Sequence, residues 1–132
     1  MKVVALDYGS ARTGVAVSDP TGTIARPLAV VERAASEPGL ARIAELVRAQ
    51  GAERVVVGLP LTLRGQRGAQ AQETEAFVEA LRQALEVPVE SYDERFTTSL
   101  AASTGSDDAP EDARAAAHLL SSYLEWSSAA RG

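Results

Sequence analysis

The chain opens with a short β-branched apolar run over residues 2–6, which stops at Asp7. Tyr8-Gly9-Ser10 then has the chemistry of a turn. Apolar and small residues alternate over 13–17, and this second run ends at Ser18-Asp19-Pro20. Thr21-Gly22-Thr23 predicts a tight turn, and residues 24–31 predict a third strand in which Pro27 marks an edge or a bulge. Three strands joined by such short links predict an antiparallel meander.

Beyond this point the period changes. Ser36 can cap a helix whose apolar positions Leu40, Ile43, Ala44 and Val47 keep helical spacing, and Gly51 closes it. Residues 54–57 read as a strand ending in Gly58-Leu59-Pro60, and residues 61–68 as a loop. A helix over 69–85 keeps Phe77, Val78, Leu81, Ala84 and Leu85 on one face. Residues 87–92 predict a fifth strand, followed by Asp93-Glu94-Arg95 and a short helix over 98–103. Thr104-Gly105-Ser106 breaks that helix. A last helix starts near Asp108, where Asp108-Ala109-Pro110-Glu111 has the form of a capping box with proline in the first turn. Ala116, Leu119, Leu120 and Tyr123 mark its inward stripe.

The order βββ-α-β-α-β-α-α predicts an α/β protein. Its mixed five-stranded sheet has three antiparallel strands, then two parallel ones, with helices on both faces. Ligands in such sheets collect at the carboxyl ends of the parallel strands.

With 132 residues, one domain over 1–132 is expected. The absence of cysteine excludes a disulfide scaffold and thiolate metal sites, and the single His118 cannot build an imidazole site unaided. No apolar run approaches the roughly 20 residues of a membrane span. Asp7 interrupts the first apolar stretch too early for a signal peptide, so the cytoplasm is the expected compartment, with no membrane partner. The net charge of -5 argues against bulk electrostatic binding of nucleic acid, although the placement of the arginines matters more than the total.

The acids concentrate at the predicted carboxyl edge. Asp7 ends the first strand, Asp93 and Glu94 end the fifth, and Asp112 lies in the first turn of the last helix. Two unit charges ~4 Å apart repel by about 4 kcal/mol at an effective dielectric of 20, so converging carboxylates need an offset. Hard divalent cations such as Mg²⁺ provide one, because they take oxygen ligands and keep positions open for water and phosphate. A plainer reading makes Asp7 a turn residue, Asp112 a charge favoured at a helix start and Glu94 a partner of Arg95. Asp7-Tyr8-Gly9-Ser10 can also cradle phosphate through backbone N–H groups.

Several stretches together resemble the YqgF/RuvX family of RNase H-like resolvases and pre-16S rRNA nucleases. They are residues 6–19 (LDYGSARTGVAVSD), 56–61 (VVGLPL), 68–71 (GAQA) and 93–98 (DERFTT), then Asp112 with Ala115 and Ala116. The resemblance implies an RNase H-like fold and metal-dependent cleavage of structured nucleic acid. It places Asp7, Glu94 and Asp112 at the family's acidic positions; Asp93 matches too, and strand alternation lets only one of Asp93 and Glu94 face a metal. The family often has a basic loop before the final helix. Here residues 105–112 carry Asp107, Asp108 and Glu111 and no basic residue. Contacts to nucleic acid then fall to Arg12, Arg64, Arg67 and Arg95, with Tyr8 and Thr97 beside them.

The reading that follows is a two-metal endonuclease using Mg²⁺ or Mn²⁺. Asp7 would bridge two ions, and Glu94 and Asp112 would each complete one coordination sphere. Its substrates would be branched DNA, precursor rRNA or both. Two symmetric cuts in a junction call for a homodimer. Two alternatives stand beside it. One is a nucleotide-hydrolysing enzyme of the actin and sugar-kinase type, whose members need two such domains where this chain has one. The other is a non-catalytic module binding nucleic acid or a ribosome or transcription partner.

Overall fold

The computed structural model describes residues 1–59, 68–93 and 109–131. Five strands and three helices follow in the order β1 (Val3–Asp7), β2 (Arg12–Ser18), β3 (Ala25–Glu32), α1 (Glu37–Gln50), β4 (Arg54–Leu59), α2 (Ala69–Ala84), β5 (Val89–Asp93) and α3 (Glu111–Arg131). The short helix expected over 98–103, and Asp108 as a cap, lie outside the described residues. The last helix begins at Glu111, after Pro110, whose carbonyl accepts from the Arg114 N–H.

The strands form one sheet in the order β3-β2-β1-β4-β5. β1 pairs antiparallel with β2, and β2 with β3; β1 and β4 run parallel, as do β4 and β5. The predicted meander and the predicted parallel strands are both present. β1 takes the centre because its apolar run is buried on both sides: Val3, Val4, Ala5 and Leu6 are all in the core.

Alternation along the strands divides the core in two. Val4 and Leu6 face Ile43 and Val47 of α1 and Phe77, Val78 and Leu81 of α2. Val3 and Ala5 face Ala116, Leu119, Leu120 and Tyr123 of α3. Helices thus cover both faces, as the element order predicts. Full burial of each large apolar side chain contributes about 1.5–3 kcal/mol.

Local signals act where they were expected. The Ser36 hydroxyl accepts from the Gly39 N–H at 3.2 Å and caps α1, and Gly51 ends it in the left-handed region at φ 66°. Pro27 lies on the edge strand next to a bulge. Val15 pairs with Ala29 and Ala16 with Pro27, so Leu28 has no partner on β2. That extra residue reverses the alternation within β3. Ala25 therefore joins the α3 core, while Val31 joins the opposite one.

Candidate active site

Because β1, β4 and β5 are parallel, their carboxyl ends share one edge. Asp7 closes β1, and Asp93 pairs with Leu59 at the ends of β5 and β4. The antiparallel β2 starts at this same edge with Arg12. Asp112 arrives from the other side of the chain, in the first turn of α3.

Gly14 joins two of these acids. It is the cross-strand partner of Asp7. A β-carbon on Gly14 would stand 1.8 Å from the Asp112 carbonyl oxygen and 3.0 Å from the Ala113 nitrogen. Only hydrogen at this position lets the start of α3 lie directly on β2. Asp7 is in phase with Val3 and Ala5, which belong to the α3 side. Asp7 and Asp112 are therefore brought to one face by a single backbone contact.

Asp93 falls in the other phase. It alternates with Tyr92, which packs on the α3 side, and shares its phase with Val89, which packs on the α1–α2 side. Glu94, Arg64, Arg67, Arg95 and Thr97 lie outside the described residues. Among the described residues no three or more Asp, Glu or His side chains form a group able to hold a metal ion. The donor chemistry on the Asp7–Asp112 face nevertheless fits a hard divalent cation: both groups are carboxylates, one on the strand that pairs with Gly14 and one on the helix start that rests against it.

Arg12 sits within this pair. Its Nε lies 3.2 Å from an Asp112 carboxylate oxygen, with both side chains partly open to solvent. The contact places a positive charge beside one proposed ligand. Its own contribution to stability is about 0–1 kcal/mol at such exposure.

The turn between Asp7 and Arg12 is held from α2. The Tyr8 ring is buried and stacks on Phe77 at a centroid distance of 4.4 Å. Its hydroxyl donates to a Glu73 carboxylate oxygen at 2.6 Å. The Ser10 hydroxyl donates to the same oxygen at 2.5 Å. Burial, then the Glu73 hydrogen bond and its negative charge, push the Tyr8 phenol up to about 12. The Ser10 and Tyr8 hydroxyls hold the Glu73 carboxyl below the usual range. Gly9 is required because a β-carbon there would stand 2.5 Å from the Arg12 carbonyl oxygen.

Two further side chains of α3 have structural surroundings of their own. His118 is half-buried in the middle of α3. Trp126 is 51% exposed and tilts against Tyr92 and Tyr123, with ring centroids 5.8 and 5.9 Å away. Sequence reasoning missed Gly14 and Glu73. A glycine inside an alternating strand does signal close backbone approach. Glu73, one of several acids on an amphipathic helix, carries no such signal.

The profile of the RuvX Holliday junction resolvase family matches residues 1–126. A Chloroflexus aurantiacus protein named "Putative pre-16S rRNA nuclease" is 48% identical over 96 residues. That match covers 73% of this chain and 63%, under two thirds, of the relative's length. A Rubrobacter xylanophilus protein of the same name is 44% identical over 131 residues, covering 94% of this chain and 92% of its own. Thermus thermophilus RuvC, solved in complex with a Holliday junction substrate, superposes with a TM-score of 0.69 at 18% identity, covering 98% of this chain and 96% of its own. A fowlpox virus resolvase with Holliday junction DNA gives a TM-score of 0.51 at 12% identity, covering 97% of this chain and 96% of its own. At these identities the two structures speak for the shared fold, which is the RNase H-like α/β arrangement expected from the motifs. The family profile spans the motifs at both ends of the chain, from the strand that ends in Asp7 to the helix that bears Asp112, and this chain belongs to the RuvX Holliday junction resolvase family.

Proposed function

We propose that this chain is a divalent-metal-dependent endonuclease that hydrolyses phosphodiesters in structured nucleic acid. The observation that carries the reading is the Gly14 contact, which sets Asp7 and Asp112 on one face at the carboxyl edge of the sheet. The family profile and the names of the relatives favour the same chemistry.

In this reading Asp7, Asp112 and Glu94 hold Mg²⁺ or Mn²⁺. Glu94 is preferred to Asp93 because Asp93 shares its phase with Val89, away from Asp7. Two bound ions would supply Lewis-acid activation of water and charge neutralisation at the leaving oxygen. Asp7, on the central strand, and Asp112, on the helix start, present oxygen donors from rigid elements. Arg12, beside Asp112, attracts a backbone phosphate and orients it toward the acids. The products are a 5′-phosphate and a 3′-hydroxyl. Arg64, Arg67, Arg95 and Thr97 extend the contact to nucleic acid, and a two-fold dimer serves paired cuts in a four-way junction.

The test is cleavage of four-way DNA junctions and of precursor 16S rRNA fragments with Mg²⁺ or Mn²⁺. Wild type should cut at least one of them, and excess chelator should stop it. Asp7→Asn should fold and bind yet cut on the order of 100-fold more slowly. Salt-sensitive binding with no metal-dependent cutting of either substrate would leave the non-catalytic module as the correct reading.

A further inference from the structure

Residues 8–11 join the strand that ends in Asp7 to the strand that starts with Arg12. Any slack in this turn therefore reaches both residues. The last ladder pair before it is Asp7 with Gly14, so β-pairing does not extend to Tyr8, Gly9 or Ser10. Within the turn, the Thr13 hydroxyl reaches the Gly9 carbonyl only at 3.4 Å.

At the far end of the turn the Ala11 carbonyl accepts from the Arg33 N–H at 3.0 Å; at Tyr8 and Ser10 the firm side-chain contacts come from α2. One Glu73 oxygen receives both the Tyr8 and the Ser10 hydroxyls, at 2.6 and 2.5 Å. Phe77, one helical turn further along, stacks on the Tyr8 ring. The ring contact fixes where Tyr8 enters α2's surface. The shared carboxylate oxygen fixes the far side of the turn, at Ser10, to that same helix. Hydrogen bonds to an ionised acceptor are shorter and roughly twice as strong as neutral ones.

We propose that Glu73 is a positioning residue for the site: its carboxylate ties the Tyr8–Ser10 turn to α2 and thereby fixes the placement of Asp7 and Arg12. This rests on the nuclease reading above. Glu73 acts through its acceptor oxygen and touches neither the phosphate nor the ions. It adds a negative charge to a surface that must receive a polyanion, so its charge alone would weaken substrate binding rather than help it.

The experiment compares wild type, Glu73→Ala and Glu73→Gln by calorimetric titration with Mn²⁺, by cleavage, and by thermal unfolding. Gln keeps an oxygen that accepts both hydroxyls; Ala keeps none. Partners that orient metal ligands typically change metal affinity or activity by 10–100-fold. Glu73→Ala should therefore bind Mn²⁺ and turn over on the order of tenfold less well, at temperatures where it is fully folded. Glu73→Gln should stay within about twofold of wild type, and adding Ser10→Ala to Glu73→Ala should cost little more.

Several results would overturn the proposal. A Glu73→Ala protein with a lowered melting temperature but unchanged Mn²⁺ affinity and turnover leaves Glu73 a stabilising contact only. Equal losses in Ala and Gln variants make the charge, and not the acceptor, the cause. If wild type itself neither binds Mn²⁺ nor cuts, the nuclease reading fails first and this assignment with it, so the two failures are told apart by wild type alone.

Discussion

The Asp112 carbonyl rests against Gly14 so closely that a β-carbon would come within 1.8 Å of it. Helix α3 can start at the sheet only because β2 offers no side chain there. The partner atoms are backbone, so they cannot rotate away as a flexible side chain would. Gly14→Ala must push α3 off the sheet or bend β2. Overpacking of this kind typically costs 1–3 kcal/mol, and thermal unfolding should show at least ~1 kcal/mol. Because the displaced residue is Asp112, cleavage by the folded fraction should fall as well. Gly51→Ala is the control: at φ 66° it is strained by about 1–2 kcal/mol, but it meets nothing within 4 Å. It should lose stability and keep its turnover.

Arg12 and Asp112 form a solvent-exposed ion pair, worth about 0–1 kcal/mol. Arg12→Gln should shift the melting temperature little. If Arg12 contacts phosphate, the slope of log affinity against log salt should fall by about one unit. Fluorescence anisotropy of a labelled junction over a salt series measures this. An unchanged slope removes Arg12 from the nucleic-acid interface.

Metal binding should stabilise the fold. A ligand that binds only the folded state adds about 2.7 kcal/mol at 100 times its dissociation constant. Mn²⁺ should raise the melting temperature of wild type. The increment should vanish in Asp7→Asn and Asp112→Asn, and chelator should reverse it. Equal increments in all three proteins would mean that these carboxylates are not the ligands.

The Tyr8 phenol sits at about 12 in the folded protein, above its ordinary value of 10.0. The sign follows directly. The unfolded chain releases this proton first as pH rises, so Tyr8's contribution is complete below pH 10 and is lost as pH climbs to 12. Denaturant unfolding at pH 8, 10 and 11 should therefore show wild type losing more stability than Tyr8→Phe. Parallel losses would place the alkaline sensitivity elsewhere, with Tyr123 the next group to test because burial and Glu90 raise it too.

Much of this protein could be read from its amino acids. The β-branched run before Asp7, the alternation over 13–17, the cap at Ser36 and the stop at Gly51 depend on residues a few positions apart. Short links force antiparallel pairing and helical links force parallel pairing, which sets the carboxyl edge where Asp7 lies. The place of Asp7 was legible for the same reason, since it closes the first apolar run, and that of Asp112 because it lies in the first turn of a recognisable helix.

What the chain order could not decide is which distant groups meet. The bulge at Leu28, which puts Ala25 and Val31 on opposite faces, depends on pairing with β2. The phase that separates Asp93 from Asp7 depends on which core Val89 and Tyr92 enter. Asp112 is 98 positions from Gly14 in the chain, and Glu73 is 63 from Ser10. Local propensity acts over a helical turn or a strand pair and is blind to such separations. These contacts exist only once α2 and α3 have buried their apolar stripes on the two faces of the sheet, because burial energy, not local preference, brings those backbones together.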